Sequence, residues 1–208
     1  MIRLEENRDF REVENLAREA FWNVYRPGCD EHLILHNLRD DPCFVPELSY
    51  VLEIDRRIVG QIAYAKGRLK LDSGGETGLL LFGPVSILPE YQGKGYGGEL
   101  IRFTLERAKE MGYPAVVISG SPAYYGRFGF ESGSKHGIFH EDSDRSEEAP
   151  FFMVKILDDQ AARGLKGTYS DPPVYTTDSA ALAEFDRGFP PKKKEKRPGQ
   201  LWQPEDDG

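Results

Sequence analysis

The residues with the clearest chemical bearing form one short stretch, Gln92-Gly93-Lys94-Gly95-Tyr96-Gly97-Gly98. Ahead of it, an apolar run over residues 79–82 resumes as Val85-Ser86-Ile87-Leu88 and stops at Pro89. Behind it, Leu100, Ile101, Phe103, Leu105 and Ala108 recur at helical spacing as far as Met111. A strand, a glycine-rich turn and a helix in that order gather backbone N–H groups at a helix N-terminus. The first four amides of a helix lack internal partners and the helix dipole adds positive potential, so such a point attracts phosphate. Glycine lets the backbone approach an anion closely and take φ > 0 without steric cost. Lys94 brings a mobile positive charge to the same turn. The chemistry on offer is anion binding.

Several ligands fit that description. Gly93, Gly95 and Gly98 spell G-x-G-x-x-G, the dinucleotide-binding pattern. That pattern expects the following strand to end in an acid that binds ribose, whereas the strand candidate at 115–119 runs into Ser119-Gly120-Ser121. No G-x-x-x-x-G-K-[ST] can be laid on these residues, so a Walker loop is excluded. Gln92, Gly95 and Gly97 also fill Q-x-x-G-x-G, after a strand ending at Pro89-Glu90-Tyr91. A glycine-rich connection without a ligand is the plain alternative.

The elements that must hold this turn are readable along the rest of the chain. The 208 residues are 39% hydrophobic and 12% aromatic, enough for one packed domain of ordinary size with an appended tail. Residues 2–5 suit a short strand. Asp9 followed by Glu12 has the form of an N-cap with its capping-box partner. Phe10, Val13, Leu16, Ala17, Ala20, Phe21 and Val24 then mark an amphipathic helix ended by Pro27-Gly28. A second helix starts near Asp30, carries Leu33, Ile34 and Leu38, and stops at Asp41-Pro42. His32 and His36 lie four apart on it, but no third metal ligand accompanies them, and they read as polar helix positions. Residues 49–54 and 58–70 are rich in Val, Ile and Tyr, with Asp55-Arg56-Arg57 as a hairpin turn. Residues 71–78 form a loop before the strand that feeds the glycine turn.

The helix over 97–111 crosses to residues 115–119, an apolar run of the kind covered on both faces of a sheet. Residues 121–130 suit one or two helical turns closing at Gly129. Residues 132–150 are polar, acidic in their second half, and read as a loop; 151–157 return to strand character. A short helix over 158–165, a break at Pro172-Pro173 and a helix over 180–185 follow. Residues 192–197 hold five positive charges in six positions, which reads as a solvated tail.

The order is thus β, α, α, β, β, β, glycine turn, α, β, α, β, with Tyr125-x-x-x-Gly129-Phe130 downstream of the turn. Turn, tyrosine motif and element order together resemble the GNAT acetyltransferase superfamily, in which Q-x-x-G-x-G is the pyrophosphate loop for acetyl-CoA. The stretch 27–66, with GPVSILPEYQGKGYG, PAYYGRFGF and the late FDRGFPPK, is also similar to one bacterial branch, the YhbS-like predicted N-acetyltransferases. The resemblance implies an α/β GNAT fold, a mixed central sheet flanked by helices, over 1–157, with a C-terminal extension and basic tail over 158–208. It implies an acetyl-CoA-dependent N-acyltransferase that moves acetyl to a primary amine of a small molecule or peptide by direct attack. Val85, Ser86 and Ile87 match the strand whose backbone pairs with the pantetheine arm. Gln92, Gly93, Lys94, Gly95, Tyr96, Gly97 and Gly98 match the pyrophosphate cradle. Tyr125 matches the tyrosine that in many relatives protonates the departing thiolate. Many relatives also carry an Asn shortly before that tyrosine; residues 118–122 offer none, leaving Ser119, Ser121 or backbone in its place.

The implied chemistry sets its own demands. A thiol titrates near ~8.5 and a phenol near ~10, so Tyr125 would donate uphill by about 2 kcal/mol. The alternative is that Tyr124 and Tyr125 are core aromatics beside Phe128 and Phe130; Tyr125 as acid with Tyr124 as wall is the favoured reading. A backbone N–H near Ile87 suits the oxyanion of the attacked thioester. Glu47, Glu53, His136 and His140 are candidates for the base, and spacing selects none of them. The acceptor pocket of the family comes from the regions matching 22–38 and 135–148, where the acidic bias of 140–148 suits a cation. Two other classes stay open: an idle CoA-binding regulatory module, and a dinucleotide-binding protein.

Composition adds expectations about surroundings. A net charge of −8 argues against a nucleic-acid binder. No run approaches the ~18 apolar residues of a membrane span, and the N-terminus lacks the apolar core of a signal peptide. Cys29 and Cys43 have no metal spacing and read as free thiols of a cytoplasmic protein. A monomer or homodimer without metal is expected.

Overall fold

The β-branched and aromatic runs assemble into one nine-stranded mixed sheet in a computed structural model that describes residues 1–146 and 149–201. Its strands are β1 (Ile2–Leu4), β2 (Tyr50–Ile54), β3 (Arg57–Leu71), β4 (Glu76–Ile87), β5 (Ala115–Ser119), β6 (Glu131–Ser132), β7 (Ile138–His140), β8 (Phe152–Ile156) and β9 (Gly167–Ser170). The path runs β1-β2-β3-β4-β5-β8-β6, with β9 paired to both β3 and β7. Helices α1 (Phe10–Phe21), α2 (Glu31–Leu38), α3 (Tyr96–Glu110), α4 (Pro122–Tyr125) and α5 (Ser179–Asp186) flank it.

Local chemistry explains most of these elements. β2 and β3 join through Asp55 and Arg56 alone, both at positive φ (49° and 65°), as a tight two-residue hairpin requires. The apolar stripe of α3 places Leu100, Ile101, Leu105 and Ala108 at no more than 4% exposure, so this helix is fixed against the sheet. Tyr64 on β3 reaches Thr104 on α3 through a 2.9 Å hydroxyl contact, which satisfies both groups in the core.

Four expectations need correction. The capping box belongs to Glu6 and Asp9 rather than Asp9 and Glu12, because Asp9 turns back to Arg3 and the Glu6 N–H. Residues 158–165 form turns, with Asp158 Oδ1 accepting the N–H of Gln160 and Ala161 at 2.8 and 2.9 Å. The loop expected over 132–150 contains β7, too short to show a period but paired in parallel to β9; Glu147 and Glu148 lie outside the described residues. The charged run 192–197 is tied down. Lys192 Nζ meets Glu19 at 2.6 Å, and the Lys193 carbonyl accepts from Trp22 Nε1 and Asn23 Nδ2 at 2.9 and 3.0 Å.

β7 also carries a titratable contact. His140 Nε2 lies 3.2 Å from Asp171 Oδ2, in an aromatic surround of Phe151, Phe152 and Tyr169. The Asp171 carboxylate raises the imidazole pKa against the opposing effect of burial, with Asp142 and Glu141 adding to it. A raised folded value means that this contact stabilises fully below the unfolded imidazole pKa of about 6.5 and is lost as pH rises through the folded value. The melting temperature of the wild type should exceed that of Asp171→Asn most at about pH 6, and the two curves should converge at alkaline pH. A gap that widens with pH refutes this.

Candidate active site

β4 and β5 run parallel but pair only at Leu80–Val116 and Leu81–Val117, while β4 continues beside β3 as far as Ile87. A bulge explains the parting: Gly83 and Pro84 on β4 oppose the single residue Ala63 on β3, and the strand bends there. Tyr175, in the short turn Pro173–Tyr175, donates its hydroxyl to the Gly83 carbonyl at 2.8 Å and holds the bulge. Past the bulge, the Leu88 N–H donates to the Val59 carbonyl at 2.9 Å. Backbone groups alternate along a strand, so Ser86 also faces β3, whereas Val85 and Ile87 present their N–H and C=O groups to the gap. The Ile87 carbonyl accepts from Gln92 Nε2 at 2.9 Å, as that orientation requires. Ser86 is the exception among the strand residues singled out above. It is 1% exposed and its hydroxyl accepts from Gln61 Nε2 at 2.9 Å, so it spaces the two contacts.

The glycine turn sits at the end of this gap. Among the described residues, the backbone N–H groups of Gly93, Lys94, Gly95, Tyr96, Gly97 and Gly98 find no acceptor, and the first helical bond is Glu99 N–H to Gly95 C=O at 3.1 Å. Gly95 makes this possible by capping α3 at φ 92°, where a side chain would strain the backbone. Positive charge surrounds the six amides. Lys94 Nζ lies 5.0 Å from the Tyr91 ring centre, Arg102 Nη1 comes within 3.3 Å of where a Gly98 Cβ would stand, and Arg127 stacks 3.9 Å over Tyr124. Unpaired amides at a helix N-terminus with three cations beside them fit a pyrophosphate.

Tyr125 closes the other wall. Its ring packs against Phe82 and Phe130 at 6.0 Å and Tyr124 at 4.9 Å. Gly120 is required beneath it, since a Cβ there would stand 2.3 Å from Tyr125 Cε2. Among the described residues no protein group hydrogen-bonds the Tyr125 hydroxyl. Burial pushes its pKa well above the ordinary phenol value, with Tyr124 and Tyr25 adding to the rise. Tyr124 is placed differently, its hydroxyl 3.2 Å from the Cβ position of Gly97, at the glycine-turn end of the gap. Ser119 and Ser121 are both exposed near this wall.

Two of the candidate bases are engaged elsewhere, Glu53 with Arg3 at 3.0 Å and His140 with Asp171. His136 Nε2 lies 3.5 Å from Glu131 without a hydrogen bond, and Glu47 is exposed on the turn Pro46–Leu48. His32 and His36 face different carboxylates, Asp186 at 3.1 Å and Glu14 at 3.0 Å. Tyr175 and Tyr25 are the residues that sequence reasoning passed over; nothing in a Pro-Pro-Val-Tyr turn announces a bond to a strand 92 residues away.

Comparison with known proteins agrees with this geometry. The Acetyltransferase (GNAT) domain family matches residues 1–133. The chain is 28% identical to the uncharacterized N-acetyltransferase YhbS of Escherichia coli over 80% of its length and 93% of that protein's. It is 33% identical to the uncharacterized N-acetyltransferase YjhQ of the same organism over 47% of its length, spanning only 54% of that relative. The crystal structure of YhbS in complex with CoA superposes with TM-score 0.72 over 84% of this chain and 91% of that one, at 27% identity. A GNAT family acetyltransferase from Brucella melitensis in complex with acetyl-CoA gives 0.67 over 85% and 97%, also at 27% identity. With its domain matched over well more than half its length and its strands parted above an amide cradle, the chain belongs to the GNAT acetyltransferase family.

Proposed function

We propose that the protein is an N-acetyltransferase that moves the acetyl group of acetyl-CoA to a primary amine of a small molecule or peptide. The observation that carries this reading is the run of six unpaired amides from Gly93 to Gly98, set at the mouth of the β4–β5 gap. In this reading Gln92–Gly98 hold the pyrophosphate and the backbone of Val85 and Ile87 pairs with the pantetheine arm. The arm then directs the thioester toward the Gly83–Pro84 bulge, with the Val85 N–H, the gap-facing amide next to the bulge, beside the carbonyl oxygen. Tyr125 donates to the departing sulfur. CoA and acetyl-CoA in the two similar crystal structures support the choice of ligand.

Thermal-shift titration tests it. A ligand at 100 times its dissociation constant adds about 2.7 kcal/mol of apparent stability. Acetyl-CoA should raise the melting temperature, NADH should not, and Gly95→Val should abolish the shift by straining the cap. Thiol release across a panel of primary amines then reads turnover. Stabilisation by NADH alone sinks the reading.

A further inference from the structure

The bulge on β4 is gripped at two successive carbonyls. Tyr175 donates to the Gly83 carbonyl at 2.8 Å, and Gln61 Nε2 donates to the Pro84 carbonyl at 3.0 Å. Gln61 lies opposite Ser86 in β3 and gives its other amide hydrogen to the Ser86 hydroxyl at 2.9 Å. A carbonyl only accepts, so the nitrogen end of the side chain is the one that faces Pro84. Gln61 is 2% exposed, and an aliphatic side chain would fill the same place without burying an amide. Packing alone does not account for a glutamine there.

The peptide that Gln61 holds is the one that carries the Val85 N–H. The Pro84–Val85 bond is trans, so its C=O and N–H point to opposite sides. With the carbonyl bound from the β3 side, the N–H is aimed into the β4–β5 gap. A hydrogen bond accepted by a peptide carbonyl also polarises that peptide and strengthens its N–H as a donor. Tyr175 fixes the peptide before it. Its ring lies 4.0 Å from where a Gly83 Cβ would stand, and burial raises its pKa above the ordinary phenol value, so it stays a donor. The turn that carries it is tied on both flanks. The Tyr175 N–H donates to the Pro172 carbonyl at 3.1 Å, and Thr177 donates to the Asp30 carboxylate at 2.6 Å.

We propose that Gln61 and Tyr175 are positioning residues of the acetyl-transfer centre, holding the Pro84–Val85 peptide so that its N–H meets the carbonyl oxygen of the thioester. The inference rests on the N-acetyltransferase reading and identifies what keeps its oxyanion donor in place. Each side chain acts through the bulge, Gln61 from β3 and Tyr175 from the turn Pro173–Tyr175. Negative charge builds on the carbonyl oxygen as the amine attacks, and a donor already aimed there needs no reorganisation at that moment. Loss of the grip lets the peptide turn, and the donor leaves the line of the oxygen.

The test uses the full chain bound to acetyl-CoA carrying 13C at the acetyl carbonyl, with no amine, so that the thioester stays intact. Isotope-edited infrared difference spectra read the C=O stretch, which falls as the oxygen accepts a stronger hydrogen bond. In the wild type the band should lie below that of free acetyl-CoA. In Gln61→Met, which keeps the volume and loses the donor, it should move back toward the free value. Tyr175→Phe should move it the same way and serves alone if Gln61→Met does not fold. With the best amine of the thiol-release panel, each variant should lower kcat roughly 10–100-fold with KM for acetyl-CoA unchanged. A side chain that only packs would lower the melting temperature and leave the band and kcat where they were. That result, or a wild-type band at the free position, overturns the proposal even where acetyl-CoA binds. Failure of acetyl-CoA to bind the wild type overturns the N-acetyltransferase reading instead.

Discussion

Tyr125→Phe should lower kcat by about 10²–10⁴-fold while leaving acetyl-CoA affinity unchanged, the loss typical of a missing general acid. The substitution removes one oxygen and nothing else. The ring keeps its seat over Gly120 between Phe82, Phe130 and Tyr124, and the hydroxyl leaves no protein partner behind. Any change in rate therefore reports what the hydroxyl does to the reacting atoms. Burial raises this phenol further above a thiol than an ordinary tyrosine, so it remains a hydrogen-bond donor at every working pH. Its largest service is to meet negative charge as it builds on sulfur, when the bond to a thiolate is strongest. Tyr124→Phe is the control, because that hydroxyl sits by Gly97 and its loss should act on acetyl-CoA KM. Single-turnover rates should be compared, so that slow product release does not mask the chemical step. An unchanged single-turnover rate in Tyr125→Phe would falsify the assignment of Tyr125 as the acid.

What the sequence disclosed was what short-range chemistry encodes. The glycine turn, the stripe of α3 and the Asp55-Arg56 hairpin each depend on neighbours within a few positions, and each stands where the pattern put it. The bulge at Gly83–Pro84 and its partner Tyr175 are of another kind. One extra residue and a distant phenol leave no periodicity, so the device that parts the strands was invisible. His140 drew attention by residue type, yet its partner Asp171 occupies it. β7 escaped notice because three residues carry no period and its order comes from β9.

The sharpest instance of that long-range order is Asp186, where Asp186→Ala should destabilise the protein by about 3–5 kcal/mol. Asp186 Oδ1 meets Arg18 Nε at 2.8 Å and His32 Nε2 at 3.1 Å, joining α5 to α1 and α2. Arg18 is 2% exposed and His32 fully buried, so removing the carboxylate strands a guanidinium in the interior. Among the described residues its one other side-chain hydrogen bond is to the Pro190 carbonyl at 3.1 Å, in the same segment, and the rings of Trp22 and Phe189 at 4.3 and 5.3 Å cannot replace a carboxylate. Burial holds the His32 pKa below its ordinary value against the pull of Asp186, so the imidazole stays neutral and Arg18 bears the loss. For a chain of this size each kcal/mol moves the melting temperature by roughly 2–4 °C, which makes the expected drop roughly 10 °C. Asp186→Asn, which keeps an acceptor, should fall less far. Glu184→Ala is the control: its pair with Arg187 lies on the surface and is worth at most about 1 kcal/mol. The result bears on how the chain is divided. In our reading residues 158–201 are an extension that folds with the sheet, because β9 pairs with β3 and Phe189 is only 6% exposed. A single cooperative transition that shifts as a whole in Asp186→Ala is the expected outcome. A main transition unmoved, with a separate small one lost, would instead make the extension an independent appendage.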